Sequence, residues 1–517
     1  MSGYVPNTPK AKRVAELKDV KPVDLHAQRW AEYEKHGKQP APPLEKVKIA
    51  LRIGLFFDGT GNNASNSALG ALCGAHHPVQ ADDLDASCQP YMADPDSSYG
   101  NDVTNVRKLL DLYMESPRAQ GETLHQLISR RLYIEGIGTK SGEKDSLIGS
   151  GTGRGDTGVE SRVQEAFVGI KAFISDIIKE NPDCEISSLT FDAFGFSRGA
   201  AAARHFANEV VRGKNGPLGP ALRDNAKALS RSFADQYLQD INMGFIGLFD
   251  TVASVAGLTN LGNVSSSIAP GIKLHLASRY FSHVVHLVAR DELRANFALS
   301  SVSPDHREIT LPGAHSDIGG GYLTESEECV LVSPMQALTV RQGTDVKTTS
   351  IYRDAAQAKA RMVADGWPAS VLEIVTPAPK LLPADPQDRL APRQLRVYAG
   401  LQLKRPVKGE LSRVYLRVMY ALAKQNGAPF DDIDKNDPNY SVPAELQPLC
   451  DRFVGGDYST TAADEALLKG RYIHTSGHWN TPLGKLTPSG LKLVYINAPS
   501  ADGARVQHPH VPDWKLL

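Results

Sequence analysis

The sequence has no long apolar run. Its longest, Val418–Ala423, falls far short of the roughly 20 residues a membrane-spanning helix needs. A membrane is therefore expected to be touched only from outside. Cysteine is scarce: five in 517 residues, at positions 73, 88, 184, 329 and 450. An odd, scattered set of this kind is not a disulfide framework. Cys73 and Cys88 flank His76-His77, but no CxxC or HxxxH stands beside them, so neither a metal nor another cofactor is expected. The opening residues Met1-Ser-Gly-Tyr-Val-Pro lead into scattered Lys and Arg without an apolar h-region. This lacks the pattern of a Sec signal peptide and points to synthesis in a reducing cytosol, with any export by another route. A basic excess is also missing: 57 Lys+Arg stand against 58 Asp+Glu, a net charge of −1. Phosphate contacts need such an excess, so a dedicated nucleic-acid binder is excluded. No GK[ST] is present. Gly153-Arg-Gly155-Asp-Thr-Gly158 matches G-x-G-x-x-G but does not directly follow a strand, so it is read as a Gly-rich loop rather than a nucleotide site. No internal repeat is found.

The chain is nevertheless equipped to fold. Hydrophobic residues make up 41% and charged residues 22%, which excludes wholesale disorder, and the length suggests two to four domains at about 150 residues each. Residues 1–47 read as a polar, mildly basic N-terminal arm, with 9 Lys/Arg against 6 acids through Lys46 and one amphipathic stretch at Val23–His36. From Lys48 the pattern changes. Short β-branched and aromatic runs at Lys48–Phe57, Arg131–Gly136, Ser188–Phe194, Met243–Phe249, Val284–Val288 and Glu308–Leu311 alternate with helical periodicity, chiefly Thr157–Glu180 and Ser197–Arg212. Several runs are apolar on both faces, as in a covered parallel sheet. Residues 48–322 therefore read as an α/β domain, a mostly parallel sheet with helices on both faces. Residues 61–104 fit no element. They form an acidic insertion carrying Asp82, Asp83, Asp85, Asp94 and Asp96, a lid candidate. After Tyr322 the strand rhythm fades. Residues 323–517 read as a second, mixed or mainly helical module that contacts a membrane or a partner and returns elements to the first. It holds helices at Leu411–Asn426 and Ala462–Arg471 and a late strand at Leu491–Asn497.

The chemistry concentrates at Gly195-Phe-Ser197-Arg-Gly199, between an apolar run and an Ala-rich helix. This is G-x-S-x-G in the context a nucleophile elbow requires. A strand that becomes a helix within one residue holds Ser197 at a strained backbone angle, and Gly195 and Gly199 let neighbouring chain approach. The Arg198 N–H, at the helix start, is an oxyanion donor candidate. A serine nucleophile needs a base, and in α/β-hydrolases the chain order is Ser, acid, His. His315, in Pro312-Gly-Ala-His-Ser-Asp-Ile-Gly-Gly-Gly321, is the best placed; His275, His283 and His286 lie on or near apolar faces and read as core or surface. For the acid the residues leave two candidates open. Asp250 ends the next strand and precedes Thr251-Val-Ala-Ser254, whose hydroxyls are placed to hold a carboxylate. Asp291 follows the strand after that, within an ion-pair-rich segment. Phe57-Asp58-Gly59-Thr60-Gly61-Asn62-Asn63 ends the first strand and offers a second oxyanion donor at Gly59 or Thr60.

Four motifs occur in order: Phe57–Asn63, Gly195–Gly199, Phe249-Asp250-Thr251-Val252 and Gly313–Gly321. Together they resemble the catalytic domain of the first family of type VI secretion lipase effectors, over roughly residues 48–322. The resemblance implies an α/β-hydrolase fold and a triad of Ser197, Asp250 and His315, which favours Asp250 over Asp291. It implies phospholipase A activity on bacterial glycerophospholipids, loading on a secretion spike, delivery into a rival's periplasm and a cognate immunity protein. The alternatives are a soluble carboxylesterase or thioesterase with the same triad, and a non-catalytic interaction module built on a hydrolase fold.

Overall fold

The computed structural model describes residues 46–73, 76, 97–116, 125–143, 145, 157–253, 271–383, 392–481 and 497–512. Strand β1 (Val47–Phe57) begins the core, and its last five residues are all buried. A polar face would be unusable there, because helices cover both sides of the sheet. Helix α1 (Ala64–Leu72) follows, then α2 (Asn105–Leu112), β2 (His125–Ile134), α3 (Val159–Glu180), β3 (Cys184–Phe196) and α4 (Arg198–Val211). Strands β4 (Ile241–Phe249), β5 (Val284–Ala289), the two-residue β6 (Leu299–Ser300) and β7 (Arg307–Leu311) come next, then the short helix α5 (His315–Gly319).

Six of these strands form one parallel sheet in the order β2-β1-β3-β4-β5-β7. They overlap the six runs anticipated from the sequence, β2 starting six residues before the expected Arg131, and the fold is an α/β-hydrolase-like sheet with helices on both faces. On one face α3 and α4 bring Val163, Phe167, Ile170, Ile174, Ile177, Phe206 and Val210 onto Ile49, Leu51, Ile53 and Phe191. The positions in α3 recur every three or four residues, so a single stripe of the helix is buried. On the other face Phe56, Phe194, Phe245 and Phe249 meet Val106 and Leu109 of α2.

The insertion is not loop throughout, as expected, but contains α1. Its N-cap, Asn63, accepts from the N–H groups of Ser65 and Asn66, and its buried residues are Ala64, Asn66, Ser67 and Gly70. A helix that buries small and polar groups shows little hydrophobic periodicity, which hid it. Asp82, Asp83, Asp85, Asp94 and Asp96 of the insertion, the arm through residue 45 with its amphipathic stretch, and nearly all of Leu491–Asn497 lie outside the described residues.

Residues 323–410 open the C-terminal module with strands that the sequence did not delimit. Here a five-stranded antiparallel sheet is built on the 14-residue strand β12 (Gln394–Val407). It pairs with β8 (Ser326–Leu331), β9 (Gln336–Arg341), β10 (Leu372–Val375) and β11 (Lys380–Leu381), and α6 (Ser350–Ala364) packs against it. These strands have many exposed and half-buried positions, and β12 contains Gly400 and Pro406, so the apolar signal is diluted. Both ends of this excursion meet: the Gly409 N–H donates to the Leu323 carbonyl at 3.1 Å. A Cβ at Gly409 would lie 2.5 Å from that oxygen, so the crossing requires glycine.

From Leu411 the chain rejoins the parallel sheet. Helix α7 (Leu411–Gln425) is the sequence-predicted one, and Leu411, Val414, Tyr415, Val418 and Met419 close the face shared with α2. Helices α8 (Gln447–Val454) and α9 (Ala462–Arg471) add Phe453 and Leu468 to the same cluster. Finally β13 (Gln507–His508) pairs in parallel with β6. Among the described residues no helix is long and apolar enough to cross a membrane. Cys73 is disulfide-bonded, whereas Cys184, Cys329 and Cys450 are free.

Candidate active site

Strand β3 ends at Phe196 and α4 begins at Arg198, so Ser197 alone makes the corner, at φ 58° and ψ −126°. A positive φ in a residue with a Cβ is costly and persists only where the surroundings enforce it. The enforcement is visible. The Ser197 N–H donates to the Phe249 carbonyl at 3.0 Å, and the Ala200 N–H donates to the Ser197 carbonyl at 3.0 Å. A Cβ on Gly199 would sit 2.3 Å from the carbonyl oxygens of Phe57 and Asp58, and one on Gly195 would sit 2.4 Å from the Gly199 oxygen. Backbone on both sides leaves no flexible group to yield. Gly199→Ala is therefore expected to destabilise the protein by about 1–3 kcal/mol or more. A lowered denaturant midpoint with an unchanged slope would show it.

Asp250 caps β4 as Ser197 caps β3, and it too has a positive φ, 44°. Its carboxylate is fully buried and completely engaged. Oδ2 lies 2.5 Å from His315 Nδ1 and accepts from Arg505 Nη2 at 2.8 Å. Oδ1 accepts the Ala289 N–H at 2.9 Å and Arg505 Nη1 at 2.7 Å. Burial pushes the carboxyl pKa up, but Arg505 and His315 outweigh it and hold the group far below the usual carboxylate range. The hydroxyls expected to hold this carboxylate do not all do so: Thr251 Oγ1 is buried without a hydrogen bond, and Arg505 takes that place. Removing one partner of such a pair strands a buried charge, typically at about 3–5 kcal/mol. Beneath the acid, the Thr251 N–H donates to His286 Nε2 at 2.9 Å, and His286 Nδ1 lies 3.0 Å from Glu308, so His286 is core.

His315 opens α5, 4% exposed. Its ring sits 4.6 Å from that of Phe196, the residue preceding Ser197, and edge-on to Phe297 at 5.0 Å. Its N–H donates to Glu292 Oε2 at 3.3 Å. Burial lowers the imidazole pKa and Asp250 opposes this, with a net result below the ordinary histidine value. The other candidate acid, Asp291, does not meet the ring. Its carboxylate accepts the Gly313 N–H at 2.7 Å and pairs with Arg290, so it holds the loop that carries His315.

The turn after β1 lies against the elbow, with Gly59 close to the Phe196 ring. Asp58 braces it, accepting the Thr104 hydroxyl at 2.6 Å and the Tyr133 hydroxyl at 2.5 Å. It also takes the Gly59 N–H at 2.7 Å. That N–H is thus committed internally, which corrects the expectation for Gly59 and leaves Thr60 as the turn's donor candidate. Arg198 is the first residue of α4, so its N–H lies at the positive end of the helix, directly after the corner. Sequence reasoning missed Arg505, Glu292 and Ala289. An ion pair 255 residues apart leaves no local pattern.

Residues 214–341 match the model described as "T6SS, Phospholipase effector Tle1-like, catalytic domain". That span contains Asp250 and His315 and begins after the elbow. Among solved structures, the chain is similar to that of "the Tle1 effector bound to the VgrG spike from the Type 6 secretion system". The two share 27% identity over 92% of this chain and 97% of that one, with a TM-score of 0.70. A second structure, an uncharacterized protein from Pseudomonas aeruginosa, aligns at a TM-score of 0.35 with 18% identity over 82% of this chain and 52% of that one, too distant to carry an argument. No curated protein matches the sequence. By fold along nearly its whole length, and by sequence over part of it, the chain resembles the type VI secretion lipase effectors of the first family.

Proposed function

We propose that the protein is a serine hydrolase of the phospholipase A type that cleaves acyl esters of bacterial glycerophospholipids, acting as an antibacterial type VI effector. The observation that carries the reading is the 2.5 Å contact between Asp250 and His315, on a ring packed against the residue before Ser197. In this reading Ser197 Oγ attacks the ester carbonyl while His315 Nε2 takes its proton. Asp250, bound to Nδ1, holds the tautomer that leaves Nε2 basic and stabilises the imidazolium that forms. The tetrahedral oxyanion is met by the N–H groups of Arg198 and Thr60. His315 then protonates the departing glycerol oxygen, and water cleaves the acyl-enzyme by the same route in reverse.

The likeness to an effector solved on its spike supports export by the same route, with a spike protein as carrier. Action in a rival's periplasm and neutralisation by an immunity protein complete the proposal. The division into an arm over 1–47, a hydrolase domain over 48–322 and a C-terminal module over 323–517 is part of it. Residues 61–104 are its lid candidate, and the C-terminal module is its candidate contact with membrane or partner.

The test is hydrolysis of phosphatidylethanolamine–phosphatidylglycerol vesicles, with products resolved by mass spectrometry and Ser197→Ala run in parallel. Release of fatty acid and lysophospholipid by wild type alone is expected. Turnover of short-chain esters with no vesicle hydrolysis would move the reading to a soluble esterase. Target-cell killing that survives Ser197→Ala would point to a non-catalytic module.

A further inference from the structure

None of the four motifs includes the C-terminal segment, yet that segment lies beside the candidate acid. The Ala295 N–H donates to the Ala498 carbonyl at 3.0 Å, and the Ser500 N–H to the Leu293 carbonyl at 2.9 Å. Further on, β13 pairs with β6, and the Ser301 N–H donates to the His508 carbonyl at 3.0 Å. The chain is thus fastened on both sides of Arg505. Its side chain is 5% exposed. The guanidinium reaches Asp250 with both terminal nitrogens, at 2.7 and 2.8 Å, and its Nε donates to the Phe297 carbonyl at 2.8 Å. Phe297 is also the residue whose ring stands edge-on to His315.

A triad carboxylate must keep one oxygen on imidazole Nδ1. Asp250 sits on a strained corner, and its orientation is fixed from the far side by a planar fork that matches a carboxylate in two places. We infer that Arg505 is a positioning residue of the hydrolytic centre: it clamps the Asp250 carboxylate in the orientation His315 needs, and its charge opposes protonation of the resting imidazole. The inference rests on the reading of Ser197, His315 and Asp250 as a triad.

The sign of the charge effect follows from the groups around His315. Asp250 at the end of β4 and Glu292 from the segment after β5 favour the imidazolium. Arg294 from that same segment opposes it. Asp317 lies two residues along α5, and its carboxylate is bound to the Ala314 N–H and to His474. Arg505 stands directly behind Asp250. Removing its charge leaves Asp250 with one positive neighbour fewer, so the imidazolium is stabilised and the base is lost at a higher pH.

The experiment measures the rate at which a fluorophosphonate probe labels Ser197 as a function of pH, in wild type, Arg505→Gln and Arg505→Lys, each checked for folding by circular dichroism. This readout needs no lipid. Arg505→Gln is expected to label about 10–100-fold more slowly at its plateau, the scale of a misplaced catalytic group. Its acid limb should lie at higher pH than that of wild type. Arg505→Lys keeps the charge but not the fork, so the limb should stay in place while the plateau falls. A folded Arg505→Gln with wild-type plateau and limb overturns the inference and leaves the triad standing. So does a fall in plateau that is equal in both variants with no movement of the limb, which would mark a purely structural tether. If Arg505→Gln does not fold, the lysine variant decides, and a wild-type plateau in it refutes the clamp. Absence of labelling in wild type removes the triad reading and this inference with it.

Discussion

Ser197→Ala is expected to lower ester hydrolysis by about 10⁴–10⁶-fold while leaving the protein folded. The loss is large because the substitution deletes the attacking atom, and the remaining groups can only orient substrate and polarise its carbonyl. The fold should survive because alanine, like serine, is an L residue with a Cβ at the same strained corner. The hydrogen bonds that hold the corner use the Ser197 backbone, not its hydroxyl. Steady-state assays on a soluble ester, beside thermal unfolding of both proteins, provide the measurement. Residual activity within tenfold of wild type would remove Ser197 from the mechanism.

The second large effect separates two aspartates that the sequence leaves as rivals. Asp250→Asn is expected to cost about 10⁴-fold in kcat, because an amide at this position no longer enforces the tautomer with a basic Nε2. It also leaves Arg505 as a buried, uncompensated cation, so a lowered melting temperature should accompany the loss of activity. Asp291→Asn should change kcat by less than about tenfold, since that side chain is 28% exposed and grips only Arg290 and the Gly313 N–H. An active Asp250→Asn beside an inactive Asp291→Asn would reverse the assignment.

What the sequence made legible follows a physical divide. The inner strands were readable because both faces of the sheet are covered there, which leaves the ends of β1, β3 and β4 apolar or small on both faces, whereas the edge strands β2 (HQLISRRLYI) and β7 (REITL) carry polar positions. The elbow was readable because its chemistry is local, compressed into five residues between a strand and a helix. Helix α1 was hidden because it buries asparagine, serine and glycine. The antiparallel sheet was hidden because β12 mixes buried and exposed positions and contains a glycine and a proline. At the site, the residues left Asp250 and Asp291 open and the family resemblance favoured Asp250; the structure puts Asp250 on the imidazole. Gly59 was misjudged because the orientation of an N–H depends on a neighbouring carboxylate that pattern alone cannot orient. Arg505 lay beyond reach because one ion pair between distant segments has no period or motif.

The contact between Leu323 and Gly409 has an evolutionary consequence. An excursion whose two feet stand side by side can lengthen, shrink or be exchanged without moving the helix before it or the helix after it. Nearly ninety residues of surface can thus diversify, and with them whatever that surface recognises, while the hydrolytic half beneath keeps its geometry. Relatives of this chain should therefore differ most in this cassette and least at the corner that carries the serine.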